Sequence, residues 1–268
     1  MKKFKTGRST FTMAGFLAAA LLLINVGAAG TASAMLTARA NHDHISIDFF
    51  YHGSAVGIMG EADPGVDLVI KMTDRAGHHV MKQKGKVGGL LWMNVGMLNF
   101  ERTPNFYAVH STRKLEDILS PDEMEKYTLG YPALEKQVEV KPVADEAEKA
   151  KWFSEFVKYK EDSRVYASSY GKITTSAANN DRMEYSIQTD WPYQASPGDY
   201  FVTVYAVRNG KVVEQAETKV NVEQVGTVKA LATMAKSNAA FYGILSIAVA
   251  LGAGFGVGMV FRKGGGSH

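Results

Sequence analysis

Cysteine is absent from all 268 residues. That excludes disulfides, thiolate metal centres, covalent haem attachment and thiol catalysis. A body of about 200 residues can rely on its core without covalent staples. An exported domain without cysteine suits the bacterial periplasm. Catalytic signatures are missing as well. There is no Gly-x-Ser-x-Gly elbow, no phosphate loop and no His-Glu-x-x-His pair. The carboxylates spaced most like pairs, Glu135 with Glu139 and Asp117 with Asp122, read as solvated faces. The sequence is therefore read as that of a non-enzyme with no cofactor. A real excess of basic charge is also lacking. The chain has 30 Lys and Arg against 27 Asp and Glu. Six of the basic residues lie in two terminal segments described next. The rest of the chain carries 24 against 27, a net of −3. Nucleic acid is excluded as a partner on that ground.

What is present is concentrated first at the two ends. Lys2, Lys3, Lys5 and Arg8 precede an apolar run, Ala14 to Ala29, that closes on Ala32-Ser33-Ala34. This is the plan of a secretory signal peptide, with cleavage expected after Ala34. Near the other end, Ala239 to Phe261 holds 23 residues without a charge. As a helix that run is about 34 Å long, enough for a hydrocarbon core of about 30 Å. Tyr242 suits one boundary, and Arg262-Lys263 fixes the C-terminus inside by the positive-inside bias. The expected order is a signal peptide (1–34), a periplasmic domain (35–236), a transmembrane helix with its positive stop (237–263) and a short cytoplasmic tail or tag remnant (264–268). The chain is then a single-pass protein of the bacterial inner membrane. Gly252, Gly254, Gly256 and Gly258 lie four apart in pairs within the span. They could form a flat face for helix packing.

Between the ends the pattern reads as strands, then helices, then strands. Strands are expected at Ile45–Tyr51, Ala55–Met59, Val66–Met72, His79–Lys86, Leu90–Val95 and Phe106–His110, with turns such as Asp63-Pro64-Gly65 between them. Ser120-Pro121-Asp122-Glu123 then opens a helix with a cap, a first-turn proline and a glutamate three residues on. That helix should stop at Gly130. A second helix, about Asp145 to Arg164, puts Ala147, Ala150, Phe153, Phe156, Val157 and Lys160 on one stripe. Glu139 to Pro142 reads as extended linker. Strands return at Arg182–Gln188, at Tyr200–Val207 and, after an Asn209-Gly210 hairpin turn, at Lys211–Val222. Tyr200, placed after Ser196-Pro197-Gly198-Asp199, resembles the tyrosine corner of immunoglobulin-like sandwiches. The expected fold is mainly β, an immunoglobulin-like antiparallel sandwich with a helical insertion at 112–166, plus one C-terminal transmembrane helix.

Trp92-Met93-Asn94, the stretch Pro104-Asn105-Phe106-Tyr107-Ala108-Val109-His110-Ser111, the Pro197-Gly198-Asp199-Tyr200 turn and the single span carry a likeness to a known family. Together they resemble the putative transmembrane protein family described from alphaproteobacteria. The resemblance implies a membrane-anchored periplasmic domain without assigned catalysis. Members are often encoded near sulfite-exporter-like permeases, which implies a membrane partner. The polar stretch 168–182 looks unusual for that family. The function expected is a membrane-anchored periplasmic binding or accessory subunit. Its partners would be the lipid bilayer and a polytopic inner-membrane protein such as a transporter. Trp92, Asn94, Phe106 and Tyr107 are the candidate contact residues, with core packing as the other reading of the aromatics. A rival reading is a copper or zinc protein. His42 and His44 stand near the expected mature N-terminus, and imidazoles at alternate positions can ligate such metals with a third donor. His78-His79, expected at a hairpin turn, is the other histidine pair.

Overall fold

The computed structural model describes residues 35–177 and 182–262. The expected signal peptide, the tail and part of the polar 168–182 stretch lie outside those residues.

Two sheets and a set of helices form three layers. The first sheet runs β1 (Arg39–Ala40), β3 (Ser54–Ala62), β11 (Met183–Trp191), β10 (Thr174–Ala177) in spatial order. The second runs β2 (His44–Ile47), β13 (Lys211–Gln224), β12 (Gly198–Arg208), β4 (Asp67–Thr73), β7 (Tyr107–Ser111), β9 (Tyr166–Tyr170). Strands β4 and β12 lie inside the second sheet and are buried on both faces. Leu68, Val69 and Ile70 are all fully buried. This is why Val-Asp-Leu-Val-Ile lacks the polar alternation of a half-exposed strand. One face of β12, with Tyr200, Val202 and Val204, meets the first sheet. Tyr200 packs edge-on against Trp191 at 4.8 Å, and Trp191 stacks on Phe106 at 4.9 Å. The opposite face meets the helical insertion.

That insertion holds α1 (Leu115–Ile118), α2 (Pro121–Tyr127), α3 (Tyr131–Gln137) and α4 (Glu146–Asp162). The Ser120 hydroxyl accepts from the Glu123 amide at 3.3 Å, so the expected cap forms. Thr128 takes a left-handed conformation, φ 51°, and ends α2. Tyr127 of α2 meets Tyr205 of β12 at 5.2 Å. Lys71 of β4 donates to the Tyr127 carbonyl at 2.6 Å, and its burial lowers its pKa to about 8. Tyr107 is the main pin of this layer. Its hydroxyl donates to the Thr128 carbonyl at 2.9 Å and accepts from the Gly130 amide at 2.8 Å. Helix α4 buries Phe153, Phe156, Val157 and Lys160, four of the six residues on the expected stripe.

A third sheet holds β5 (Ala76–Val87), β6 (Leu91–Pro104) and β8 (Glu139–Lys141). Phe100 of β6 stacks on Phe156 of α4 at 4.5 Å, which joins this sheet to the body. After β13 the chain enters α5 (Gly226–Ser237) and α6 (Ala239–Arg262).

The fold is mainly β, with a helical insertion and a long apolar C-terminal helix. Several expectations need correction. The sheets are not purely antiparallel: β2 runs parallel to β13, and β7 parallel to β9. Strand β2 stops at Ile47 because the Asp48 carboxylate accepts from the Phe50 amide and turns the chain. Residues Glu139 to Lys141, read as linker, pair with β6 as β8. Helix α3 went unread because Pro132 in its first turn resembles a breaker, although that position suits proline. The Asn209-Gly210 turn forms as expected, with positive φ at both residues. The Tyr200 hydroxyl donates to the Ser196 carbonyl, which is the local bond of a tyrosine corner.

Two consequences can be measured. Tyr107→Phe leaves the buried Gly130 amide without an acceptor, so the body should lose about 1–3 kcal/mol in urea unfolding followed by tryptophan fluorescence. An unchanged midpoint would show that the hydroxyl does not hold the helices down. The second concerns His110, buried in β7 with Nδ1 2.7 Å from the Ser169 hydroxyl and Nε2 without a partner. Burial, and secondarily Lys172, lowers its pKa from 6.5 to about 4. The neutral ring is the form the fold accepts, so its stabilisation is full above pH 6.5 and is lost as pH falls towards 4. The loss should be on the order of 3 kcal/mol, and His110→Gln should flatten that part of the stability–pH curve.

Candidate functional site

Strands β5 and β6 make a long two-stranded ribbon whose outer part leaves the body. At about 3.3 Å per residue β5 alone spans about 40 Å. Its tip is a three-residue loop, Gly88-Gly89-Leu90, between the paired Val87 and Leu91, with φ of +62° and +75° at the two glycines. Positive φ at both positions matches the twist of the strands, and glycine adopts it without a steric penalty. Beside the turn the apolar side chains point to solvent. Leu90 is 87% exposed, Leu91 66%, Trp92 68% and Met97 62%, with Met93 and Val95 about half exposed. Lys82, Lys84 and Lys86 alternate along the facing strand, and Lys86 Nζ stands 5.4 Å from the centre of the Trp92 ring.

The root of the ribbon is ordinary core. Leu98 and Phe100 are buried, and His78 pairs with Glu101 at 2.7 Å. His79 lies 5.8 Å from the Phe156 ring, and burial lowers its pKa. The change from buried to exposed apolar side chains follows the end of cover by α4 and β8. Strand β8 pairs only with Asn99 to Glu101. Among the described residues, β6 has no second neighbour from there to the tip, and β5 has none along its length. The ribbon therefore presents two open backbone edges beside an apolar patch. Such edges are templates for another strand, and clustered apolar exposure marks contact surfaces.

The expected contact residues separate. Trp92 and Asn94 lie at the exposed tip. Phe106 and Tyr107 do not join them. They are 4% and 1% exposed and hold the sheets and the helical layer together, so their aromatic character serves the core. The sequence reading missed Leu90, Leu91, Val95 and Met97 as one surface. The signal was available: a Gly-Gly pair between two runs that pair across it.

Among the described residues no group of three or more His, Asp or Glu side chains gathers to hold a metal. His44 pairs with Glu223 at 3.2 Å, and His42 lies outside the strand, so the two histidines do not share an alternating strand face. His78 and His79 lie within β5, away from the hairpin turn where they were expected.

A cavity of about 220 Å³ lies elsewhere, between the α4 C-terminus and the Ala195–Tyr200 loop. The Lys160 ammonium lines it, 3.4 Å from the Asn105 carbonyl and over the rings of Phe156 and Tyr166. Burial lowers its pKa to about 8. The stem and charge of this lysine cover two core aromatics, which accounts for its position.

Helix α6 is the one candidate membrane span among the described residues. Ala239 to Met259 has a mean hydropathy of 1.9 and none of it is buried. Gly252, Gly254, Gly256 and Gly258 lie on it with nothing within 4 Å of an added Cβ. Close approach of a second helix at those positions would meet no obstacle from this chain.

A family model described as "Putative transmembrane protein" matches residues 35–263. No curated protein and no solved structure matches the chain.

Proposed function

Because the chain belongs to the putative transmembrane protein family, we propose that it is a non-catalytic, membrane-tethered binding subunit that grips a polytopic inner-membrane protein with the β5–β6 ribbon. The body lies in the periplasm and the tail in the cytoplasm. The three-layer core is an immunoglobulin-like frame with a mixed sheet, and its task is to hold the ribbon. One observation carries this reading: the apolar tip and the open strand edges occur together.

The edges also choose between a protein and a lipid occupant. Hydrocarbon offers no hydrogen bonds, so each unpaired N–H or C=O taken into it costs several kcal/mol. A partner strand satisfies those groups while its side chains cover Leu91, Trp92 and Met97. The lysines support the same choice, because they can pair with carboxylates at the rim of such an interface. Tethering by α6 keeps the module beside membrane partners and raises their effective concentration. A glycine pair of α6, Gly252 with Gly256 or, on the opposite side, Gly254 with Gly258, gives the same partner a second contact within the bilayer.

A photoreactive phenylalanine at Trp92 in the intact source cells tests this. The expected product is a discrete adduct with one polytopic inner-membrane protein, lost when Leu90 and Leu91 are both changed to serine. Adducts with lipid alone, or none, would contradict the proposal.

A further inference from the structure

The turn that ends β2 presents a second apolar feature, unrelated to the ribbon. Phe49 and Phe50 are 73% and 76% exposed and sit edge to face at 5.3 Å. Two neighbouring aromatics held in water need a reason. Their backbone differs from that of the ribbon. The Asp48 side chain accepts from the Phe50 amide at 2.9 Å, and the Asp48 carbonyl accepts from the Tyr51 amide at 3.3 Å. The Phe50 carbonyl is met by the His52 ring. The turn is thus held by local hydrogen bonds and presents both rings to solvent, beside the exposed Asp48 and His52. Exposed rings beside polar groups suit the membrane interface, where the rings reach the acyl boundary and the polar groups stay among the headgroups.

Its position points to the same medium. The Val225 amide donates to the Ile47 carbonyl at 2.9 Å, and Gln224 pairs with Ile47 in register. The turn therefore begins two residues from the point where the chain leaves the second sheet for its span. Only α5 intervenes, and 12 helical residues are about 18 Å long. Along α5, Val228, Leu231, Ala232 and Ala235 recur at three- and four-residue steps. Lys229, 3.7 Å from Glu223, and Lys236 both lie along one side of that stripe. This is the composition of a helix lying in the membrane interface, with Lys236 placed to reach the headgroups. With α5 flat, the turn comes down to the lipid surface.

We infer that the Phe49–Phe50 turn is a lipid contact: it rests in the headgroup region of the leaflet entered by the span and, with α5, fixes the height of the body above the bilayer. This goes beyond the proposed function and does not depend on the ribbon.

The absence of cysteine makes the test direct. The full chain carries a single nitroxide label at Phe50→Cys or, as a water-facing reference, at Ser176→Cys. Each variant is purified alone and placed in vesicles of phosphatidylcholine and phosphatidylglycerol. At position 50 collisions with a nickel complex should be lost and collisions with oxygen gained, relative to position 176. Equal nickel collisions at both positions would overturn the inference. So would shielding that occurs in native membranes but not in the pure vesicles, because the cover would then be protein. Unchanged Trp191 fluorescence in both variants would show that the labels leave the core intact.

Discussion

A backbone N–H or C=O that leaves water must find a partner, and the parts of this protein differ in how they meet that condition. Helix α6 satisfies its interior groups along its own axis, so its apolar side chains can face lipid. The Phe49–Phe50 turn does so in part, through bonds of the Phe50 and Tyr51 amides to Asp48 and of the Phe50 carbonyl to His52. The outer β5–β6 ribbon does not, because among the described residues β6 has only a short neighbour and β5 has none beyond β6. Three apolar surfaces thus have different fates. On the proposed reading, two suit the bilayer and one suits a partner strand.

The body is packed in layers. Its second sheet is buried on both faces at β4 and β12, which requires a layer on each side. The first sheet provides one, through Trp191 on Phe106 and Tyr200. The helical insertion provides the other, through Tyr127, Tyr131 and the bonds of Tyr107. The ribbon grows from this double-sided core by way of β4, and the chain to the span grows from β13, two strands away. The ribbon and the chain to the span thus leave the same sheet.

Much of this was legible in the sequence, for reasons that differ by element. The apolar run from Ala239 gave the span by length alone. Asn209-Gly210 gave its hairpin, and Ser120-Pro121 its helix, because those residues act through local geometry. The alternation of β12 gave a strand. Pairing beyond neighbours was not legible. Nothing local says that β2 runs beside β13, or that Glu139 to Lys141 completes a sheet with β6, since both depend on contacts distant in sequence. The contact surface was half legible. Trp92 and Asn94 were singled out, but so were Phe106 and Tyr107, which the core absorbs. Composition shows that an aromatic has much surface to bury, not where it buries it. Leu90 and Leu91 looked like the start of an ordinary core strand, and only the absence of a covering layer makes them exposed.

Amide hydrogen exchange along β5 tests the central claim most directly. In the full chain purified alone into lipid, the outward-pointing amides of residues 82–87 should exchange quickly, because nothing pairs with that edge. In the complex isolated with its membrane partner they should be slowed, while the fully buried β4 amides stay unchanged. Slow exchange at 82–87 in the purified chain would mean that the edge is already covered, and would contradict the account.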